Sequence, residues 1–434
     1  MTPIDGLTWT LLMLCSMLFL RIPVGFVLGI FGFFGIIYGV SLKAALNMVG
    51  TDLWQTFSAY GLTVIPMFIL MGQICFYSQV NERLYKTAYS WFGSVRGGLA
   101  ITTIMACAGF SAICGSNTAT AATMTAVALP EMKRYRYDPL LISGSIAAGS
   151  TLGVVIPPSV VLVVYGIYTG VSIGKLFFGS FMPGLILAGI MAGTAFLMCL
   201  SRPKLGPGGP KTSLLGKIKA IPDAIDMVLL FGIIMVSLYA GIFTPSEAGA
   251  AGSVVAILIG IFRRKLTCGA FFKAIVDTLR VSCMIFMLIA GATLFGRFLA
   301  VTRLPYVVAE WVASLPYPAW VILWSMLVIY IIGGCVMDAL AFLLITIPIF
   351  FPVAQKLGYD PIWFGVVLTV VTTMGAVTPP VGISAYIVSG MSKEIPLSVV
   401  FKGVLFFLPS YILTLLILNL FPSLVTFFSG LVKY

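Results

Sequence analysis

The sequence predicts an all-α polytopic membrane protein built from two inverted repeats, each holding a re-entrant helical hairpin and a broken helix. The first observation is hydropathy: over 434 residues the chain is 60% hydrophobic, 9% charged and averages +1.12. No soluble core of this length hides that much apolar surface. The second is duplication. Tyr137-Asp138-Pro139 leads through an apolar run to Pro157-Pro158, and Tyr359-Asp360-Pro361 leads likewise to Pro379-Pro380, 222 positions later. Pro130 and Pro352, and Pro23 and Pro245, keep that offset, while Arg83-Leu84 and Trp91 pair with Arg303-Leu304 and Trp311 after a slip to 220. The third is that two long apolar runs are interrupted midway by polar, glycine-containing segments, at Gly115-Ser116-Asn117-Thr118 and from Gly333 to Asp338.

The first repeat covers residues 1–200. It opens with apolar runs near 7–20 and 24–40, then a polar segment with Lys43 and Asp52, then a span at 57–78. Asp5 and the lack of a basic leader read the first run as a retained span. Residues 82–93 are too polar to cross and form a surface arm helix. Residues 97–129 exceed one span of about 20 residues, and their polar break suits a hairpin tip. The broken helix at 139–170 and a span at 176–200 follow. Residues 201–222, with five basic residues plus Pro and Gly, form a cytoplasmic linker. The second repeat, 223–434, replays the order with spans near 224–242, 245–262 and 276–300, a surface arm helix at 304–315, a hairpin at 317–351, a broken helix at 361–391 and final spans.

Net charge is +12. The basic residues sit in loops and set topology, so nucleic acid is not a partner. With the linker and Arg263-Arg264-Lys265 inside, 18 of the 25 Lys and Arg fall on the cytoplasmic side, and only Lys43, Lys175, Arg297, Arg303, Lys356 and Lys433 outside. On that trace the hairpins enter from opposite faces, which makes the repeats inverted. Arg280 lies within a span near its cytoplasmic end, where it snorkels. Histidine is absent and the 8 cysteines are scattered without a CxxC, which weighs against an enzyme, a zinc site and a disulfide framework.

Proline at mid-depth removes ladder hydrogen bonds. The freed carbonyls survive in a membrane only when buried in protein or lining a polar cavity. Two such breaks in corresponding places point to a transporter's binding site. One tip offers Ser116, Asn117, Thr118 and backbone oxygens, the hard ligands that suit a small cation or a substrate oxygen. Thr120 and Thr123 read as close-packing residues. The other tip puts Asp338 where the first has Ser116, and a carboxylate there is either a functional ligand or the N-cap of its own helix. The segments Gly149 to Ser159 and Thr372 to Gly382 face these tips, and each tip with its segment makes one cation site.

At the hairpin tips, at Gly241-Ile-Phe-Thr-Pro-Ser-Glu-Ala-Gly249 and at the two Pro-Pro segments, the sequence resembles the large membrane subunit (M subunit) of tripartite ATP-independent periplasmic (TRAP) transporters, over essentially the whole chain. The resemblance implies an elevator-type secondary transporter of the bacterial inner membrane, coupled to Na⁺. It would receive a small carboxylate (a dicarboxylate, sugar acid or sialic acid) from a soluble periplasmic binding protein and work with a small four-helix membrane subunit. One Na⁺ would lie among Cys114, Gly115, Ser116, Asn117, Gly153 and Ile156, the other among Gly333, Gly334, Met337, Asp338, Gly375, Thr378 and Val381. Substrate would touch Ser116, Asn117, Thr118, Pro158, Ser159, Asp338 and Pro380. Cys114 and Asn117 stand where family members often carry serine. The alternative is a stand-alone anion or dicarboxylate symporter that needs no binding protein.

Overall fold

A computed structural model describes residues 2–20, 22–209, 213–392 and 394–430 as helices and short connections, with no strand. Arg21, Lys211, Lys393 and Lys433, which enter the charge asymmetry, lie outside the described residues. The first half runs α1 (Pro3–Leu20), α2 (Val24–Gly39), α3 (Leu42–Ser58), α4 (Val64–Tyr77), α5 (Val80–Phe92), α6 (Gly98–Cys114), α7 (Asn117–Arg134), α8 (Pro139–Ser150), α9 (Leu152–Val155), α10 (Val160–Thr169) and α11 (Ile173–Ser201). The second runs α12 (Leu214–Tyr239), α13 (Pro245–Phe262), α14 (Cys268–Thr302), α15 (Leu304–Ser314), α16 (Ala319–Val336), α17 (Ala339–Lys356), α18 (Pro361–Gly375), α19 (Ile383–Ser392), α20 (Leu397–Leu405), α21 (Leu408–Leu420) and α22 (Ser423–Gly430).

The duplicated Tyr-Asp-Pro motif starts a helix each time. Asp138 accepts a hydrogen bond from the Leu140 amide at 2.8 Å, and Asp360 accepts from Ile362 and Trp363 at 2.9 and 2.8 Å. Proline follows at the first helical position, where its missing N–H costs nothing. At the other end α8–α9 and α18 both stop short of their Pro-Pro pair, and both Pro-Pro peptide bonds are cis.

Two segments differ from the sequence reading. The polar stretch with Lys43 and Asp52 folds as helix α3, capped by Ser41, which accepts from the Ala44 amide at 3.1 Å. Buried Asp52 pairs there with Arg297 of α14 at 3.1 Å, a partner 245 residues away. The linker is also shorter than 201–222, because α12 begins at Leu214 behind the cap Ser213. Its first turns hold the arm helix α5. Thr87 donates to the Ala220 carbonyl at 2.8 Å, and Arg83 binds Asp226 at 2.9 Å and also Asp223. Asp226 in turn accepts from Arg263 at the end of α13.

Helices in a bilayer gain nothing from hiding apolar surface from lipid, so small residues that let backbones approach decide the contacts. Nine described helical stretches are long and apolar enough to span. Of these, the stretch Pro139–Thr169 is buried from Leu141 to Gly166, whereas an 18-residue window of Ile173–Ser201 is only 33% buried, which puts the first broken helix at the centre. Gly144 of α8 lies against Gly403 of α20, and Gly25 and Gly32 of α2 lie against the backbone of α14. A methyl group on Gly25 would stand 2.8 Å from the Met287 carbonyl oxygen, which cannot rotate away. Gly25→Ala is therefore expected to cost about 1–3 kcal/mol through overpacking, read as a lower melting temperature of the detergent-solubilised protein. Gly29→Ala, whose added methyl meets nothing nearer than 3.8 Å, should leave melting unchanged.

Candidate functional site

The first tip forms because α6 ends on Gly115, whose φ of +61° is open to glycine at little cost. Ser116 then turns extended and caps α7, its hydroxyl accepting from the Ala119 amide at 3.4 Å and lying 3.0 Å from the Thr118 hydroxyl. Asn117 is 5% exposed. Its Oδ1 accepts from the Thr118 amide, and its Nδ2 has no partner among the described residues. The second tip repeats this frame. Met337 is extended, and Asp338 caps α17, accepting from the Leu340 amide at 3.0 Å. Asp338 and Ser116 thus do the same structural work at the same place in each repeat.

Each tip sits on its own broken helix at a distance only glycine allows. A methyl group on Gly153 would be 2.6 Å from the Ser116 carbonyl oxygen, and one on Gly115 would be 2.7 Å from that of Pro158. In the second unit a methyl on Gly375 would be 2.6 Å from the Gly334 α-carbon, and the Val381 amide donates to the Cys335 carbonyl at 3.0 Å. The structure therefore gathers Cys114, Gly115, Ser116, Asn117 and Gly153 into one group. It gathers Gly334, Gly375 and Val381 into another, beside Asp338. The side chains of the other predicted residues have partners of their own. The Ile156 side chain packs on Gly184 of α11, Gly333 lies under the Phe342 ring, and the Thr378 hydroxyl donates to the Met374 carbonyl at 2.7 Å.

Between the tips lies a cavity of about 360 Å³. Cys114 to Thr118 and Asp338 to Leu340 form one side, and α4 and α14 the other, through Gln73, Val281, Met284 and Ile285. Of the residues predicted to touch substrate, Ser116, Asn117, Thr118 and Asp338 line it. Pro158, Ser159 and Pro380 do not: the Pro158 carbonyl is covered by Gly115, the Ser159 hydroxyl caps α10 at 3.4 Å, and Pro380 is exposed. Gln73 is missing from the sequence reading. Its signal is that it is the one side-chain amide in the otherwise apolar α4.

Among the described residues no Lys or Arg lines this cavity. Positive potential comes instead from the N-termini of α7 and α17, whose first amides have no partner within their helix. Among the described residues no three His, Cys, Asp or Glu side chains converge. A cation at either tip would be held by backbone and hydroxyl oxygens, a donor set for hard ions rather than transition metals. Apolar walls, a few convergent polar groups and paired helix N-termini describe a cavity suited to a small polar solute.

Helices broken at mid-depth, in matched copies around a single cavity, define a membrane transport protein. Residues 11–424 match the family described as tripartite ATP-independent periplasmic transporter, DctM component, and the chain belongs to that family. It is 33% identical to the C4-dicarboxylate TRAP transporter large permease protein DctM of Pseudomonas aeruginosa, over 87% of this chain and 88% of that one. It is 29% identical to the sialic acid TRAP transporter large permease protein SiaM of Vibrio cholerae, over 94% and 95%. It is 31% identical to the isethionate TRAP transporter permease protein DctMQ of Oleidesulfovibrio alaskensis, over 94% of this chain and 64% of that longer one. Among solved structures the fold is similar to the YdaH transporter of Alcanivorax borkumensis, with a TM-score of 0.63, 14% identity and coverage of 88% and 89%. The protein is a multi-pass permease of the inner membrane.

The cap at Asp338 gives a direct test. Asp338→Ala should destabilise the protein by about 0.5–2 kcal/mol, as loss of an N-cap does, and Asp338→Asn, which can still cap, should restore the melting temperature.

Proposed function

We propose that this permease subunit imports a small organic acid together with Na⁺, the acid arriving on a periplasmic binding protein. The observation that carries this is the charge of the cavity between the tips, which holds a carboxylate, two helix N-termini and no cationic side chain. Two like charges about 6 Å apart repel by roughly 3 kcal/mol at an effective dielectric near 20. An organic anion beside Asp338 therefore enters far more readily with a cation bound, which links the two movements. Carbonyl oxygens at Ser116 and Pro158, and the Gly334–Gly375 contact in the second unit, supply the surroundings such a cation needs.

Because each tip is wedged onto its broken helix through glycine, α6–α10 and α16–α19 are suited to move as units against the remaining spans. An elevator displacement uses that rigidity, with the two repeats inverted as the charge asymmetry argues. The relatives' names for C4-dicarboxylates, sialic acid and isethionate support a small acid as the substrate class. The longer relative named DctMQ supports a second membrane component, here a separate small subunit. The protein on this reading performs no covalent chemistry.

The test is uptake of radiolabelled succinate and sialic acid into vesicles holding the chain with its small subunit. Uptake should require both an inward Na⁺ gradient and the loaded binding protein, and collapsing either should return it to the protein-free background. Uptake that persists without the binding protein would favour a stand-alone symporter, and uptake indifferent to Na⁺ would remove the coupling.

A further inference from the structure

Beyond the first tip, α4 and α7 both line a second cavity of about 670 Å³, closed on its third side by the arm helix α5. The same two helices line both chambers. On α4, Gln73 faces the first and Phe76 and Tyr77 the second; on α7, Asn117 and Thr118 face the first and Thr123, Ala126 and Val127 the second. Six residues of α7 separate Asn117 from Thr123, about 9 Å at 1.5 Å per residue. The two cavities are thus consecutive chambers on one seam.

The second chamber is built for a polar occupant. Asn81 Oδ1 and Thr123 Oγ1 are buried in its wall with no hydrogen-bond partner among the described residues. Asn81 and Thr123 are 4% and 1% exposed, so bulk water does not satisfy them. Leaving such groups unpaired costs about 1–3 kcal/mol each, so the pair marks a place that something polar fills. Its charges are Lys86 and Arg134, with Glu82 and Glu131, and none of the four takes part in an ion pair among the described residues. The first chamber has a carboxylate and no cation; the second has two free cations. Both cations lie on the side that the charge asymmetry makes cytoplasmic.

We infer that the chamber bounded by α4, α5 and α7 is a second, transient binding site for the transported carboxylate on its way to the cytoplasm. Lys86 and Arg134 attract the anion, and the orphan side chains replace part of its hydration. Glu82 and Glu131 keep the site weak enough to release it. This rests on the proposed import of an organic acid. The α5 wall is held to α12 through Arg83, whereas the α7 wall belongs to the hairpin, so the chamber lies between an anchored element and the tip that carries the first site.

The test places Ala126→Cys, an exposed position of the chamber wall, in a chain whose exposed Cys15, Cys268 and Cys283 are replaced by Ser. The complex, reconstituted with its small subunit, is treated from the linker side with a membrane-impermeant maleimide while succinate is transported, with sialic acid as second probe. The transported acid should slow modification of the introduced thiol several-fold. Lys86→Gln with Arg134→Gln should lower the maximal uptake rate several-fold, leave the half-saturating concentration of loaded binding protein unchanged, and abolish the protection. Equal modification with and without the acid, while uptake continues, overturns the chamber and leaves the import reading standing. Absence of uptake of either acid by the unsubstituted chain overturns both.

Discussion

Everything in this molecule answers to the cost of a backbone polar group left unpaired inside a bilayer. Proline removes a donor and glycine lets a helix end, so Pro157-Pro158, Pro379-Pro380, Gly115 and the stretch after Gly333 would each expose carbonyls and amides at depth. The fold meets this by pressing each broken place against another. The first tip lies on Gly153 and Pro158, and the second lies on Gly375 with the Val381 amide bonded to the Cys335 carbonyl. Residues 141–166 are buried without interruption because they carry one of these breaks. The first amides of α7 and α17, met by the caps Ser116, Asn117 and Asp338, are gathered at one cavity.

The outer helices have a different task, which is to fix a frame around that centre. Their contacts are backbone to backbone through Gly25, Gly32 and Gly291, and their buried carboxylates are paired: Asp52 with Arg297, and Asp226 between Arg83 and Arg263. Asp226 is 6% exposed and sits between two guanidinium groups, an arrangement whose loss of one partner leaves a buried charge uncompensated. That triad ties α5, α12 and α13 together beside the basic linker, so the arm helix is held to the frame.

Much of the centre is legible in sequence because proline, glycine and capping residues act locally. The tips at Gly115 and Asp338 and the helix starts at Asp138 and Asp360 follow from residues within three or four positions of one another. What is illegible depends on partners far along the chain. Helix α3 hides because Lys43 and Asp52 lower its hydropathy, and the arginine that neutralises Asp52 is 245 residues away. Gln73 gains its place only when α4 is packed opposite both tips. Asn81 and Tyr85 on α5 look like any polar side chains on an interfacial helix until α7 closes over them. Pro158, Ser159 and Pro380 fail as cavity residues for the converse reason, since being next to a break does not say which way a side chain or carbonyl turns.

The duplication also shows what was free to change. Backbone events are retained in both copies: an aspartate-capped helix start, a cis Pro-Pro pair and a tip closed by an N-cap. The side chains at the tips have diverged, with hydroxyls and an amide on one and a carboxylate on the other. A symmetric pair of hydroxyl tips would bind an anion without demanding a cation, and a symmetric pair of carboxylates would repel it. One of each makes the anion and the cation need one another, so on the proposed function the coupling arises from the difference between the two copies rather than from their likeness.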